Sequence, residues 1–253
     1  MPSHKRAPLV ALLTLVRRRF PDLDEPARLI GEGVVVDDGA PAANPRTRVR
    51  ADAAIRIQRS RPLRGTIKLA YALRAFDVRP AGVVALDLGA AAGGFTQALL
   101  DAGVARVYAI DVGTGQLRSS LRMDPRVINL ERTNLAQLDR QLIPEPAELV
   151  TMDLSYLAVA DTIGQIDQRL LAPGAQLIAL IKPTFELHAA TLADQPQQVT
   201  AAVQAATHVL AGHGWQVLGE QPSPILGSKG AVETFLHARS GSRPVSLSRS
   251  PAS

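Results

Sequence analysis

Residues 87–95 have the sequence Asp87-Leu88-Gly89-Ala90-Ala91-Ala92-Gly93-Gly94-Phe95 and overlap the end of the apolar run Val83–Leu88. A glycine-rich turn between a strand and a helix is where an open α/β sheet binds its cofactor. The glycines let a ligand approach the backbone closely. Their spacing is G-x-x-x-G-G rather than the dinucleotide pattern G-x-G-x-x-G, and the carboxylate of Asp87 would repel a pyrophosphate. The stretch therefore predicts a cofactor loop of a different kind.

A second acidic residue, Asp111, closes the next apolar run, Val107–Val112. A carboxylate at this point of the sheet can accept hydrogen bonds from both ribose hydroxyls of an adenosine. The carboxylate of Asp87 would suit the ammonium of a methionine-like group. Either Asp alone could be a capping or turn residue, but together they favour S-adenosylmethionine over NAD as the cofactor.

Seven short apolar runs alternate with helical patterns along residues 82–239. Such alternation predicts an α/β domain with a mostly parallel, Rossmann-like sheet, whose last two strands form an antiparallel pair because no helix joins them. We expect residues 240–253 to be a disordered tail. The predicted strands are Val83–Leu88, Val107–Val112, Val127–Leu130, Leu149–Leu154, Gln176–Ile181, Trp215–Gly219 and Val232–His237, and the predicted helices lie near 95–102, 115–122, 135–141, 157–171 and 196–211.

The first third of the chain is basic. Residues 1–74 contain 15 Lys and Arg against 7 Asp and Glu, whereas residues 75–253 contain 13 against 16. Residues 1–58 predict a small α+β module, with a helical stripe at Leu9, Leu12, Leu13 and Val16 and an alternating strand at Arg48–Ile57. Residues 59–81 predict a linker followed by a helix, Thr66–Phe76, that carries Lys68.

The charge of this module indicates binding to a polyanion, although a solvated basic surface is the simpler alternative. Aromatic residues are few in this region, so we expect contacts to RNA phosphates rather than base stacking. The candidate RNA-binding residues are Arg17, Arg18, Arg19, Arg28, Arg46, Arg48, Arg50, Arg56, Arg59 and Arg64.

The composition excludes several protein classes. The chain has no Cys, which excludes a disulfide scaffold and a Cys-ligated metal site, and we predict no metal. Its 46% apolar and 20% charged residues are typical of a globular protein. No run approaches the roughly 18 apolar residues that cross a bilayer. We therefore expect a cytoplasmic protein that does not enter a membrane.

Ionisable residues lie at the ends of later predicted strands: Asp153, Lys182 and Glu233. The carboxyl ends of parallel strands share one crevice, and Lys68 could fold over it from the preceding helix. Only four of the chain's 28 basic residues are lysines, and two of them belong to this set. Without further information, Lys182 and Asp153 could equally be a structural ion pair.

Lys68, Asp153, Lys182 and Glu233 resemble the K-D-K-E tetrad of FtsJ-like RNA ribose 2′-O-methyltransferases. More narrowly, residues 8–239 resemble the TlyA (hemolysin A) family of ribosomal RNA methyltransferases, which joins an alpha-L RNA-binding module of the ribosomal protein S-four type to an FtsJ-like domain. The stretches that carry the resemblance are residues 64–69, 87–96, 111–117, 130–134, 182–186 and 223–224.

The resemblance implies transfer of a methyl group from S-adenosylmethionine to a ribose 2′-hydroxyl of ribosomal RNA, in naked RNA or ribosomal subunits, with cytidine as the expected nucleotide. A base must take the hydroxyl proton, and we expect Lys182 to be that base, with Lys68 as a neighbouring cation and Asp153 and Glu233 as the groups that orient the lysines. The sequence does not show which of the two lysines is neutral. The implied cofactor-binding residues are Asp87, Gly89, Ala90, Gly93, Gly94, Phe95, Asp111, Val112, Asn134 and Asp153.

Three positions depart from the family pattern. Leu63 stands where the family usually has Ser, residues 187–198 lack the usual Lys, and Ala231 replaces an Asn. Two alternatives therefore stay open. One is a catalytically degenerate protein that binds RNA or ribosomes, and the other is a methyltransferase for a small molecule. The sequence predicts no oligomeric state.

Overall fold

A computed structural model describes residues 7–31, 35–37, 40–41, 44–57, 62–154, 158–187, 195–227 and 230–241. Arg59 and the predicted tail beyond residue 241 lie outside these residues. The chain divides into two compact units, Met1–Pro62 with Arg118–Asp124 and Leu63–Leu117 with Pro125–Ser253. The predicted domain boundaries at residues 58 and 81 stay predictions.

The smaller unit combines helices with short antiparallel strands. Strand β1 pairs with β4, and β2 lies between β3 and β5. One apolar core is formed by side chains such as Leu12, Val16, Ile30, Val35 and Val49. The elements are β1 (Leu9–Ala11), α1 (Leu12–Arg19), α2 (Pro26–Gly31), β2 (Val35–Asp37), β3 (Ala40–Pro41), β4 (Arg48–Arg50) and β5 (Ile55–Ile57).

Two expectations for this unit were wrong. Leu9 does not belong to the first helix but begins β1, where it is exposed. The single strand predicted at Arg48–Ile57 is two strands, because Ala53 N–H donates to Arg50 O and closes a turn between β4 and β5. Apolar and charged residues alternate through the turn as they do in a strand, so the sequence pattern gave no sign of the turn.

The larger unit is built on a seven-stranded sheet in the order β11-β12-β10-β9-β6-β7-β8. The five strands from β10 to β8 are parallel, and β12 is antiparallel to both of its neighbours. The elements, in chain order, are α3 (Arg64–Ala75), β6 (Val84–Leu88), α4 (Gly94–Asp101), β7 (Arg106–Asp111), α5 (Ser119–Arg122, part of the smaller unit), β8 (Val127–Glu131), β9 (Ala147–Met152), α6 (Val159–Thr162), β10 (Leu171–Ile181), α7 (Pro183–Glu186), α8 (Gln195–Gly212), β11 (Trp215–Pro222) and β12 (Thr234–Ser240).

The predicted fold class is confirmed: a mostly parallel sheet with an antiparallel last strand, beside a small N-terminal α+β unit. The helices predicted near 135–141 and 157–171 are shorter than expected. Asn134 and Asp167 cap separate 3-10 turns, Leu135–Gln137 and Gln168–Leu170, and so interrupt helical hydrogen bonding. Because β12 runs through Ser240, the tail cannot begin at residue 240.

Candidate active site

The glycine loop follows β6 and begins α4. Gly89 has a φ of +83°, and a Cβ atom at this position would lie 2.7 Å from the carbonyl oxygen of Asp153. Gly93 has a φ of +93°, and a Cβ on Gly94 would lie 2.8 Å from the Cα of Gly65 in α3. Side chains are therefore excluded here by backbone conformation and by close packing. These contacts bring β9 and α3 against the loop.

Asp87 lies beneath the loop rather than on its surface. Its side chain is fully buried and accepts hydrogen bonds from the hydroxyls of Thr96, at 2.6 Å, and Thr151, at 3.0 Å. Burial raises the pKa of Asp87 to about 6, although both hydroxyls oppose the shift. Asp87 is also absent from the described residues that line the cleft. The expectation of a direct contact with a methionine ammonium is therefore corrected: Asp87 ties α4 to β9 and supports the loop from below.

A cleft of about 610 Å³ opens at the carboxyl ends of the parallel strands. This volume is typical of ligand-binding pockets. Five of the predicted cofactor residues lie on its wall: Gly89, Asp111, Val112, Asn134 and Asp153. The remaining lining residues were not among the predicted cofactor-binding residues, and they are Ala91, Ile110, Gly113, Gln116, Thr133, Leu135, Leu154 and Gln165.

A second pocket of about 290 Å³ shares Gly89, Ala91 and Asp153 with this cleft. Its other lining residues come from the loop and from the start of α3, and they include the predicted residues Ala90, Gly94 and Phe95 as well as Leu63, Arg64, Gly65 and Ala92. Gly93 lines neither space and forms the turn into α4. Asp153 therefore lines both spaces.

The cleft has the donors and acceptors that an adenosine requires. Asp111 accepts hydrogen bonds from Ala91 N–H, at 2.9 Å, and from Gly113 N–H, at 2.7 Å, one on each oxygen. Each carboxylate oxygen can accept a further bond from a ribose hydroxyl. The Asn134 side-chain oxygen accepts from Ala136 N–H, at 3.2 Å, so its NH₂ group is the part that can donate to a base nitrogen. The residues present thus fit S-adenosylmethionine.

The four residues of the tetrad form two ion pairs. Lys182 Nζ lies 2.6 Å from Asp153 Oδ1 and donates to Leu154 O at 2.8 Å. Lys68 Nζ pairs with Glu233 Oε2. Because Ile181 is opposite Thr234 in the antiparallel register of β10 and β12, Lys182 and Glu233 stand beside that last pair. The structure thus places the two ion pairs at the same end of the β10–β12 pairing.

The two ion pairs differ in exposure. The Lys68 and Glu233 side chains are 8% and 6% exposed, whereas those of Lys182 and Asp153 are 15% and 25% exposed. The Lys182–Asp153 pair is therefore the one that a bound substrate can reach from the cleft. The positive charge of Lys68 is balanced locally by Glu233.

The predicted RNA-binding arginines fall into distinct groups. Arg50 forms a bidentate pair with Asp52, at 2.9 and 2.7 Å, which lowers the pKa of that carboxyl. Arg18, Arg19 and Arg48 are exposed and donate to backbone carbonyls. Arg17, Arg46 and Arg56 are exposed, and their guanidinium groups bond to no other described residue. Arg64 donates to Leu226 O. The side chain of Arg28 lies outside the described set.

No group of three or more His, Asp or Glu that could hold a metal ion occurs in the part of the chain that the structure describes. No helix among the same residues is long and apolar enough to span a bilayer.

Comparison with known proteins agrees with this geometry. The FtsJ-like methyltransferase family model matches residues 62–240. The chain belongs to the TlyA (hemolysin A) family of FtsJ-like methyltransferases. It is 39% identical over 235 residues to the 16S/23S rRNA (cytidine-2′-O)-methyltransferase TlyA of Mycobacterium tuberculosis, covering 89% of this chain and 87% of that protein. It is 30% identical over 177 residues to Hemolysin A of Brachyspira hyodysenteriae, covering 67% and 73%.

A solved structure extends the likeness. A Streptococcus thermophilus protein that carries a hemolysin name superposes with a TM-score of 0.66 at 26% identity, covering 92% of this chain and 89% of that one. The methyltransferase fold and S-adenosylmethionine as the cofactor, both predicted from the sequence, are confirmed for this family member. The assignment of residues 1–58 to the S-four type stays a prediction.

We expect Asp87→Asn to change the pH dependence of stability. Because burial raises the pKa of Asp87 from 3.8 to about 6, its contribution to stability is fully present below about pH 4 and is lost as the pH rises through about 6. The uncharged Asn avoids this loss. Urea unfolding at several pH values measures the free energy of unfolding. As the pH rises, this free energy should increase in the variant relative to the wild type by on the order of 2–3 kcal/mol. Asp101→Asn, at an exposed position, is the control. If the free energy of unfolding of Asp87→Asn depends on pH in the same way as that of the wild type, the raised pKa of Asp87 is contradicted.

We expect Gly89→Ala to reduce affinity for S-adenosylmethionine by about tenfold or more, because the new Cβ would strike Asp153 O and displace a wall of the cleft. Gly174→Ala is the matched control, since Gly174 also has a positive φ, +74°, but open space around the Cβ position. Calorimetric titration of both variants separates the packing effect from the conformational effect. Equal affinities in the two variants would contradict the role of the Gly89 contact.

Proposed function

We propose that this protein transfers the methyl group of S-adenosylmethionine to the ribose 2′-hydroxyl of a cytidine in ribosomal RNA. The observation that carries the proposal is the Lys182–Asp153 pair, because Asp153 lies on the wall of the cofactor cleft and Lys182 lies 2.6 Å from it. The name of the Mycobacterium tuberculosis relative gives this reaction and this nucleotide for that protein.

Lys182 is the proposed proton acceptor. S-adenosylmethionine supplies an electrophilic methyl group, and a ribose hydroxyl becomes a good nucleophile only as it loses its proton. The side-chain nitrogen of Lys182 must therefore be neutral when it accepts that proton. Asp153 and the carbonyl of Leu154 hold this nitrogen at 2.6 and 2.8 Å, which fixes its position beside the cleft. Fixed geometry of this kind reduces the entropic part of the barrier.

Lys68 and Glu233 are proposed to support the same site from the side of α3. Their buried pair connects α3 to the start of β12, and a Cβ on Gly227 would overlap Glu233 Oε1. The carboxylate is therefore closely confined. In this arrangement Lys68 acts as a compensated charge that holds Glu233 in place near Lys182.

The smaller unit is proposed to bind RNA phosphates. Its exposed arginines lie on α1, on β4 and β5, and on the turn before β4, while aromatic side chains that could stack on bases are few. Ribosomal RNA, in naked or subunit form, is the proposed partner. Such binding depends on counterion release and therefore weakens steeply as salt is added.

We expect Lys182→Met to reduce the rate of methyl transfer to ribosomal RNA by about 100-fold or more, because it removes the proton acceptor. Affinity for S-adenosylmethionine should stay within about twofold of wild type, since Lys182 is not a lining residue of the described cleft. Single-turnover transfer and calorimetry measure the two quantities. Arg169→Met, which breaks an exposed ion pair with Asp167, is the control. A Lys182→Met enzyme with wild-type transfer rate would refute the assignment. A wild-type protein that binds cofactor but methylates no RNA would favour the degenerate, RNA-binding alternative.

We expect the double variant Arg17→Ala/Arg56→Ala to weaken ribosomal RNA binding and to reduce the slope of log affinity against log salt by about 2. Arg50→Ala should weaken RNA binding less than Arg17→Ala alone or Arg56→Ala alone, because Asp52 already pairs with the Arg50 guanidinium. Fluorescence anisotropy over a salt series measures both. An Arg50→Ala loss as large as that of the double variant would contradict this division of the arginines.

A further inference from the structure

The short helix α7 carries an acidic residue that the proposed mechanism does not use. Lys182 is the N-cap of α7, and Glu186 is its last residue. The Glu186 side chain is only 8% exposed. Removing a carboxylate from water is costly unless hydrogen bonds compensate it. A buried Glu one turn after the proposed base therefore requires an explanation.

One partner of Glu186 is a backbone group. Glu186 Oε1 accepts a hydrogen bond of 2.7 Å from Val159 N–H, at the first residue of α6. The connection from β9 to α6 is the segment that contains Asp153 and Leu154. Glu186 therefore contacts the far end of this connection, while Lys182 contacts its beginning through Asp153 Oδ1 and Leu154 O.

The connection is thus anchored at both ends. At its beginning, Asp153 N–H donates to Leu88 O at 3.1 Å, which ties it to β6. At its end, the bond from Val159 ties it to α7. Both side-chain anchors, Lys182 and Glu186, belong to the same turn of α7. A shift of α7 relative to Val159 would therefore change where Lys182 lies relative to Asp153 and Leu154.

We propose that Glu186 is a positioning residue for the Lys182–Asp153 pair, and that it acts through the reach of its side chain rather than through its charge. This inference rests on the proposed methyltransferase function. It assigns Glu186 no contact with cofactor or RNA. Misplacement of a catalytic group by about 1 Å can cost about 100-fold in rate, so a single hydrogen bond at this point can affect the turnover number.

Two substitutions separate reach from charge. Glu186→Gln keeps the side-chain length and an acceptor oxygen but removes the charge. Glu186→Asp keeps the charge but withdraws the acceptor by one methylene group. The inference predicts that the Gln variant retains most of the wild-type kcat, and that the Asp variant loses about tenfold or more in kcat with little change in KM for RNA or in affinity for S-adenosylmethionine.

A third substitution removes the same bond from the donor side. Val159→Pro deletes the N–H at the first position of α6, where proline is well tolerated. The preceding residue, Ala158, already has the extended conformation that proline requires of it, with a φ of −67° and a ψ of 147°. This variant should reproduce the kcat loss of Glu186→Asp, and it keeps the inference testable if the Asp variant does not fold.

Glu148 supplies a matched control. Its carboxylate also accepts a backbone hydrogen bond, from Val84 N–H at 3.0 Å, but at the amino ends of β6 and β9. Glu148→Asp and Glu148→Gln should both leave kcat unchanged.

The outcomes are distinct. Loss of kcat in Glu186→Asp and Val159→Pro, with retention in Glu186→Gln, supports the inference. Loss in the Gln variant with retention in the Asp variant would assign a role to the charge and overturn it, as would wild-type kcat in the Asp and Pro variants or equal loss in Gln and Asp. If wild-type protein itself transfers no methyl group to ribosomal RNA, the proposed function fails instead.

Discussion

The site depends on one close contact between two backbones: the α-carbon region of Gly89 against the carbonyl of Asp153. A Cβ atom at residue 89 would lie 2.7 Å from that oxygen. The contact joins the end of β6, where the cofactor loop begins, to the end of β9, where the proposed catalytic carboxylate lies. Asp153 consequently borders both the cofactor cleft and the neighbouring pocket. Glycine at this position is a requirement of packing as well as of backbone conformation.

Buried polar groups hold the elements around this contact in register. Asp87 connects Thr96 of α4 with Thr151 of β9, and Glu186 connects α7 with α6. The Lys68–Glu233 pair connects α3 with the start of β12. Each of these groups is costly to bury alone and is compensated by a specific partner. The result is a set of interactions that fix the carboxyl ends of β6, β9 and β10 and the amino end of β12 relative to one another.

Much of the larger unit could be predicted from the sequence because apolar runs and strand-end charges are local signals. Asp111, Asp153 and Lys182 follow or close such runs, and the shared edge of a parallel sheet brings them together. Burial and pairing were not predictable in the same way. Nothing in the sequence around Asp87 distinguishes a buried carboxylate from one that faces the cofactor. Only the fold shows that it lies beneath the loop, between Thr96 and Thr151. Glu186 lies in a stretch that carries the family resemblance, yet its partner, Val159 N–H, is 27 residues away in sequence. The pairing of Arg50 with Asp52 was visible as an i, i+2 spacing within the predicted strand Arg48–Ile57, and it could have separated Arg50 from the arginines that have no carboxylate partner.

The proposed reaction of this site is methylation of the ribose 2′-hydroxyl of cytidine in ribosomal RNA. The most direct measurement is incubation of purified ribosomal subunits and naked ribosomal RNA with the protein and S-adenosylmethionine that carries a deuterated methyl group, followed by digestion to nucleosides and mass spectrometry. The account predicts label in 2′-O-methylcytidine. Label on a base, or no label in RNA from a protein that binds the cofactor, would contradict it.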